Sequence, residues 1–454
     1  MTEEDVATWL YTCADAALGG AASMGDMEKA LERLSREVRR KALERLAQKA
    51  ADQHALACPK CNKTLNVVDH RRRRTVETSF GKVAFTRGYG LCRDCQAYFF
   101  PADVTLGLQE RAPASPRVQE ICALTTLRAP AGQAEDDVRR LTGITIGAST
   151  LHREARRQGE RALELRDADE QRTQNSKGIA ELAARASTPP TPFTLVIEID
   201  AWNIRERDHW GKTKALLKAG NDLGRWHWVY TGTVFRLDQR GTTESGRPVI
   251  AERGYVATRR GVESFQRQLY AEALRRGLLR AELALILADG AVWIWNLAGD
   301  RFKDAQQRVD LHHVQEHLWN LAAELHGQGT VAAKEWVRPF LLWLERRKDG
   351  ALDVIASLRQ MKKNIEDMTR GQREAIVREI EYFQEHKDRM DYKTGKALGQ
   401  PVGSGAIEST CSQYQRRFKL TGQFWSLAGD EAFLALATLH RNGCWTQLFP
   451  HDSG

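Results

Sequence analysis

The sequence predicts a multidomain α+β protein, and three observations carry that expectation. The chain is 454 residues long, its helical and extended patterns fall in separate blocks, and two cysteine pairs fence off a small β-rich module. This length exceeds one small domain and leaves room for roughly two to four, each with its own core.

Residues 1–54 read as an N-terminal helical region, with Leu31, Leu34, Val38, Ala42 and Leu46 along one stripe. Across 55–108 the pattern becomes extended: TVETSF and KVAFTRGYGLC flank Gly81, as in a hairpin. Helical patterning returns over 113–165. Polar residues and three prolines then mark 166–192 as a linker. A core follows in two parts, 193–330 and 399–454. Its strands include LVIEID, WHWVYTGTVFRL and LALILADG, and 331–398 interrupts them as an all-helical insertion.

Lys and Arg outnumber Asp and Glu by 68 to 59, a net charge of +9 that suits an anionic partner without requiring one. No run approaches the roughly 20 apolar residues of a membrane span. The start, MTEEDVATWLYT, is acidic where a signal peptide is basic. A cytoplasmic protein with no membrane partner is expected. In that reducing compartment the cysteines point to metal rather than disulfides.

Cys58-Pro-Lys-Cys61 and Cys92-Arg-Asp-Cys95 can each offer two thiolates to one tetrahedral Zn²⁺, making a closed structural site of the zinc-ribbon kind. The same module carries Arg71, Arg72, Arg73 and Arg74 in succession, with Lys82, Arg87 and Arg93 beyond. Contact with nucleic-acid phosphates is the functional reading of such a run, and a solvated hairpin face is the plain one.

In QAEDDVRRLTGITIGASTLHREARRQG, Ala134, Val138 and Leu141 form an apolar face, Gly143 breaks the helix, and Ile144 and Ile146 pack the turn. That spacing fits a helix-turn-helix, although a plain helical hairpin has the same grammar. The second helix would offer Ser149, Thr150, His152, Arg153, Arg156 and Arg157 to DNA.

Two apolar strands end in carboxylates, LVIEID at Asp200 and LALILADG at Asp289, and strand alternation puts Glu198 on the face of Asp200. A lone Asp at a strand end is more often a cap or turn residue. Two such tips side by side could instead hold one or two Mg²⁺ ions for phosphodiester chemistry. GSGAIESTCSQYQRRFKLTG then adds Glu408 in a first helical turn, with Arg416, Arg417 and Lys419 after it as candidate DNA contacts. Glu198 would line the same cleft without ligating, or would compete for metal. Trp202, Trp293, Trp295 and Trp425 flank these motifs, with core packing as their first reading and base stacking as the second.

With IEIDAW, LADGAVWIWNLA, VDLHHVQEHLW and VGSGAIEST in place, the chain resembles bacterial insertion-sequence transposases of the DDE type, in the Mutator-like superfamily, whose core is RNase H-like. The resemblance runs from the first cysteine pair to Trp445. It implies that Asp200, Asp289 and Glu408 are catalytic and hold two Mg²⁺ (or Mn²⁺) ions, and that Asp310 and His313, from a D-x-x-H motif, support them. It further implies cleavage and strand transfer at double-stranded transposon ends and target DNA by a homodimer or larger assembly associated with the nucleoid. Two rivals remain. One is a transposase-derived DNA-binding regulator that no longer cuts. The other is a zinc protease built on His313, Glu316 and His317, since HVQEH matches H-x-x-E-H.

Overall fold

The computed structural model describes residues 3–18, 20, 22–187, 192–207, 209, 211–221, 225–246, 248–363 and 368–450. The chain is multidomain α+β and divides into two compact units, residues 1–158 with 449–454, and residues 159–448.

The first unit opens with helices α1 (Glu3–Leu18) and α2 (Met24–Gln53). Ser23 and Asp26 start α2 with a reciprocal capping box. The apolar stripe expected on this helix is not its packing face, because Leu31, Val38 and Leu46 are exposed. Leu43, Ala47 and Ala51 pack instead, against Val76, Val83 and Phe85 of a hairpin formed by β1 (Asn66–Thr78) and β2 (Gly81–Cys92). The small alanines let the helix approach closely, and polar neighbours on the same face make the choice. Glu44 Oε1 accepts from the Ala84 amide at 3.2 Å and Gln48 Oε1 from the Thr86 amide at 2.9 Å, so α2 satisfies strand amides that would otherwise form an open edge.

Strand β3 (Ala97–Phe99) pairs with the far end of β2, and α3 (Pro101–Thr105), α4 (Pro116–Arg128) and α5 (Ala131–Thr142) follow. Gly143, at φ 64°, stops α5 in the left-handed region that glycine tolerates. After the turn, α6 (Ala148–Arg172) begins. Ala134, Val138, Ile144, Ile146 and Leu151 share a core with Val118 and Cys122, but Leu141, expected on that face, is 83% exposed.

The segment read as a linker is largely helical. Residues 166–172 continue α6, and α7 (Ser176–Ala184) starts on an Asn175 cap that accepts the Gly178 amide at 2.8 Å. Its polar composition belongs to a packed, charged face: Arg275 pairs with Asp169, and Glu170 accepts from Ser264 and Gln268, each at 2.8 Å. Residues 188–191 of that segment lie outside the described residues.

The second unit is built on a mixed five-stranded sheet, β10-β9-β4-β5-β8. Here β4 is Thr194–Arg205, β5 Trp226–Arg236, β8 Gly254–Thr258, β9 Leu283–Ala288 and β10 Gln306–Val309, while β6 (Arg240–Thr242) and β7 (Pro248–Ile250) form a separate ribbon. β4 pairs antiparallel with β5 and parallel with β9, and β9 runs parallel with β10; β4 does not stop at Asp200 as its sequence suggests but continues past the end of β9 to Arg205, held there by β5. The short helix α8 (Thr213–Lys218) lies between β4 and β5 in the chain.

Pleating sorts β4 into two faces. Leu195, Ile197 and Ile199 join a large apolar core with α9 (Val262–Arg275), α10 (Val292–Arg301) and α11 (Leu311–His326). The same core extends through α12 (Val331–Arg346), α13 (Gly350–Lys363), α14 (Arg370–His386) and Tyr392 of α15 (Tyr392–Ala397), helices joined by short turns, with no strand among the described residues of 331–398. On the other face Glu198, Asp200 and Trp202 meet α16 (Gly405–Phe418), which α17 (Leu427–Arg441) follows.

Candidate carboxylate site and cysteine centre

Register builds the carboxylate site. Ile199 on β4 pairs with Ala288 on β9, so the next residue on the first strand, Asp200, stands beside Asp289 at the end of the second. Glu408 joins them from the first turn of α16. Burial, first, and then the negative charges of Asp289 and Glu408 raise the Asp200 carboxyl above its ordinary value, against hydrogen bonds from the Ala201 amide and from Cys411. Glu408 itself is exposed, and its Oε1 accepts from Ser404 Oγ at 3.3 Å. Asp289 Oδ1 accepts the Ala291 amide at 3.0 Å, an Asx-type turn that fixes its side chain.

The α16 end of the site is held by a row of anchors. Arg308 of β10 is buried and donates to Gln400 Oε1 at 2.8 Å and to the Pro401 carbonyl at 2.9 Å. Its guanidinium lies so close to Gly395 that a Cβ there would stand 2.7 Å from it, so that position needs glycine. The Leu311 amide bonds to the Val402 carbonyl at 2.9 Å. Asp310 accepts the His313 amide at 2.8 Å, capping α11, and its other oxygen accepts the Ser404 amide. Glu198, 2% exposed, accepts the Ile407 amide at 2.8 Å, and burial pushes its carboxyl up to about 8.

Two contributors escape a sequence reading. Cys411, one turn beyond Glu408 on α16, hydrogen-bonds to Asp200, and burial and that carboxylate push its thiol well up. Tyr382 and His386 of α14 crowd Gly290, where a Cβ would stand 2.8 Å from the Tyr382 ring, so the helical segment walls the turn after Asp289. Only an Asp-Gly pair hinted at such closeness.

His313, Glu316 and His317 do not assemble as a zinc site. His317 Nδ1 lies 2.7 Å from Glu379 and its ring stacks on Tyr382, while His313 lies 3.8 Å from Glu316, which points to solvent. Trp202, Trp295 and Trp425 are buried, and Trp293 packs edge-on against Tyr230 and Phe265, so these indoles belong to the core.

Among the described residues, Cys58, Cys61, Cys92 and Cys95 form the group whose metal-ligand atoms all lie within 4.8 Å of one another; the three carboxylates form no such group. The hairpin returns Cys92 to the first cysteine pair, giving Sγ–Sγ separations of 3.8 Å for Cys58–Cys95 and 3.5 Å for Cys61–Cys92. Both pairs end alike, with Asn62 at φ 60° and Gln96 at φ 50°. Burial opposes the Cys58 thiolate, but amide hydrogen bonds from Cys61 and Lys60 outweigh it and bring the thiol down to about 7. Four convergent sulfurs, one readily ionised, fit a structural Zn²⁺.

The basic candidates divide. Arg71, Arg72 and Arg73 are exposed, but Arg74 turns inward to Asp103 at 2.6 Å and to the Gln109 and Ala112 carbonyls, so it belongs to the core rather than to a DNA surface. Arg87 shares Asp103 at 2.7 Å and stacks on Phe100. On α6, Ser149, His152 and Arg153 are exposed, Thr150 and Arg156 are half-buried, and Arg157 pairs with buried Glu154 at 2.9 Å. Arg416 and Lys419 are exposed, whereas Arg417 lies over Trp425 and Phe433, with burial bringing it down to about 10.

No helix among the described residues is long and apolar enough to cross a membrane. No protein-family model matches the sequence, and no curated protein does. Among solved structures the chain is similar to the Drosophila P element transposase strand transfer complex, at 12% identity and a TM-score of 0.24, covering 76% of this chain and 83% of that one. A likeness that slight carries no functional weight.

Proposed function

We propose that the protein is a DDE transposase with an RNase H-like core, in which Asp200, Asp289 and Glu408 carry metal-dependent DNA cleavage and strand transfer. One observation carries the reading: β9 ends just before Asp289, the parallel strand β4 passes it with Asp200 as the next residue after the last paired one, and Glu408 joins them closely enough to act on the Asp200 carboxyl. Accumulated negative charge on hard oxygen ligands suits divalent cations. Mg²⁺ held by these three residues would supply the charge that stabilises the attacking and leaving oxygens of an in-line displacement at phosphorus.

The chain's own residues orient and enclose. Asp310 and Glu198 fix the backbone around Glu408, and α14 walls the Asp289 side. Hydrolysis at the transposon end exposes a 3′-hydroxyl, and that hydroxyl then attacks target DNA. Both steps are the same displacement, so one site serves them in turn. Two ends held together call for at least a dimer. In the first unit, Arg71, Arg72 and Arg73 meet phosphates, and Ser149, Thr150, Arg153 and Arg156 of α6 meet the end sequence.

The test is a strand-transfer assay with a supplied terminal inverted repeat. Asp200→Asn, Asp289→Asn and Glu408→Gln should each lower Mg²⁺-dependent cleavage by roughly a thousandfold or more, since each removes a charge that stabilises the transition state, while end binding persists. Wild-type cleavage rates in the Asp200 and Glu408 variants would overturn the assignment. A wild-type protein that binds ends without ever cutting them would favour the regulator.

A further inference from the structure

We propose that Glu198 is a positioning residue for this site: by gripping the start of α16 it sets where Glu408 stands relative to Asp200 and Asp289. The proposal rests on the functional reading above and adds a residue and a role to it.

The first amides of a helix have no partner within it, and a side chain or ligand must satisfy them. α16 begins after Ser404, whose side chain makes no capping bond to those amides. The stronger acceptor comes from a strand 209 residues away in sequence: Glu198 Oε2 takes the Ile407 N–H at 2.8 Å, against 3.1 Å for the Ser404 carbonyl that shares it, and the same carboxyl also takes the Ala406 amide. A carboxyl oxygen at a helix N-terminus also meets the positive end of the helix dipole. Ile407 immediately precedes Glu408, and on the other side of the turn Asp310 holds the Ser404 amide. The junction is thus pinned at two points by side chains rooted in β4 and just beyond β10. Glu408 is exposed, and among the described residues its hydrogen-bond partner is the Ser404 hydroxyl at 3.3 Å, so the backbone beneath it decides its place.

Glu198 and Asp200 lie on one face of β4, so the role to be separated from positioning is that of a further metal ligand. The two roles predict opposite outcomes for Glu198→Gln, which keeps an oxygen acceptor for Ile407 but cannot ionise to hold a metal. Glu198→Met, close in volume, removes the acceptor as well. Each variant is compared with the wild-type full chain by amide hydrogen exchange at Ile407, by end-DNA binding, and by Mg²⁺-dependent cleavage. Glu198→Gln should keep slow exchange and most of the cleavage rate. Glu198→Met should bind ends normally, exchange Ile407 at least about tenfold faster, and lose roughly 10–100-fold in cleavage, the range for residues that orient a ligand. Cleavage falling as far in Glu198→Gln as in Glu198→Met would overturn the proposal in favour of a charged ligand. Unchanged exchange at Ile407 in Glu198→Met would overturn it too. Should Glu198→Met not fold, Glu198→Gln still decides, since a loss of its exchange protection or of its cleavage counts against positioning. Absence of wild-type cleavage would count against the transposase reading alone, because the exchange comparison still judges the anchor.

Discussion

Arg71 to Arg74 are four identical side chains in a row with two different jobs. A sequence cannot separate them, because the partner that draws Arg74 inward, Asp103, lies 29 residues further on and β1 is irregular between Asp69 and Arg72, so simple alternation fails there. The physical consequence is measurable. Arg74→Ala leaves Asp103 with Arg87 alone and two carbonyls without their buried donor, and should destabilise the first unit by about 1–3 kcal/mol, as loss of a buried hydrogen-bond partner does. Arg71→Ala, Arg72→Ala or Arg73→Ala should change stability by less than about 0.5 kcal/mol. Each should nonetheless weaken DNA binding and reduce the salt dependence of log K by about one unit for each phosphate that is no longer neutralised. Denaturant melts paired with salt titrations separate the two classes, and an Arg74→Ala variant of wild-type stability would contradict the inward role. Arg417 follows the same logic: its place after Glu408 suggests DNA, but the aromatic rings of Trp425 and Phe433 claim it.

Among the elements, the cysteine pairs were the most legible, because thiolate spacing and a hairpin between them are local facts of the sequence. The helices α6 and α7 were the least. Asp169 and Glu170 look like linker residues until the arginines and amides of α9 satisfy them, and that pairing is tertiary information. The stripe on α2 failed for a related reason, since alanines with helpful polar neighbours outcompeted larger side chains for the place against β2. The cysteine centre also yields a prediction. The purified protein should carry one zinc per chain, because four sulfurs converge on one point. Chelation, or Cys92→Ser, should unfold residues 55–108, where the ion supplies folding energy. Hydrogen exchange there should rise sharply while the strands around Asp200 stay protected. Metal analysis finding no zinc, or an unchanged exchange map after chelation, would remove the centre from the structure.

At the scale of the whole second unit, the strands were readable but their order was not. LVIEID and LALILADG declare themselves as buried strands by composition, yet only the parallel pairing of β4 with β9 brings Asp200 and Asp289 together. The sheet's opposite margin holds a feature with no sequence signature at all. Asp430 of α17 is fully buried near Glu206 at the end of β4 and Arg259 just after β8, with His227 of β5 beside Glu206. Its neighbour Glu431 is satisfied by Thr258 Oγ1 and the Arg259 amide and pairs with Arg166 of α6 at 2.6 Å. Burial, followed by the charge of Glu206, pushes the Asp430 carboxyl up to about 9. The folded protein therefore keeps a proton that the unfolded chain releases near the ordinary value of 3.8. A group raised in the folded state contributes stability that is complete below its unfolded value and is lost as pH climbs through its folded value. The second unit should accordingly lose stability steadily between about pH 4 and pH 9, over and above the titration of its surface. Asp430→Asn, which keeps the shape but holds no proton to lose, should reduce that slope, leaving the share that the raised Glu198 carboxyl contributes up to about pH 8, and melt higher than wild type at the alkaline end. Thermal melts of both proteins across that range decide the matter. Parallel slopes would mean that Asp430 is ionised in the fold, with Arg259 as the counter-charge that keeps it so.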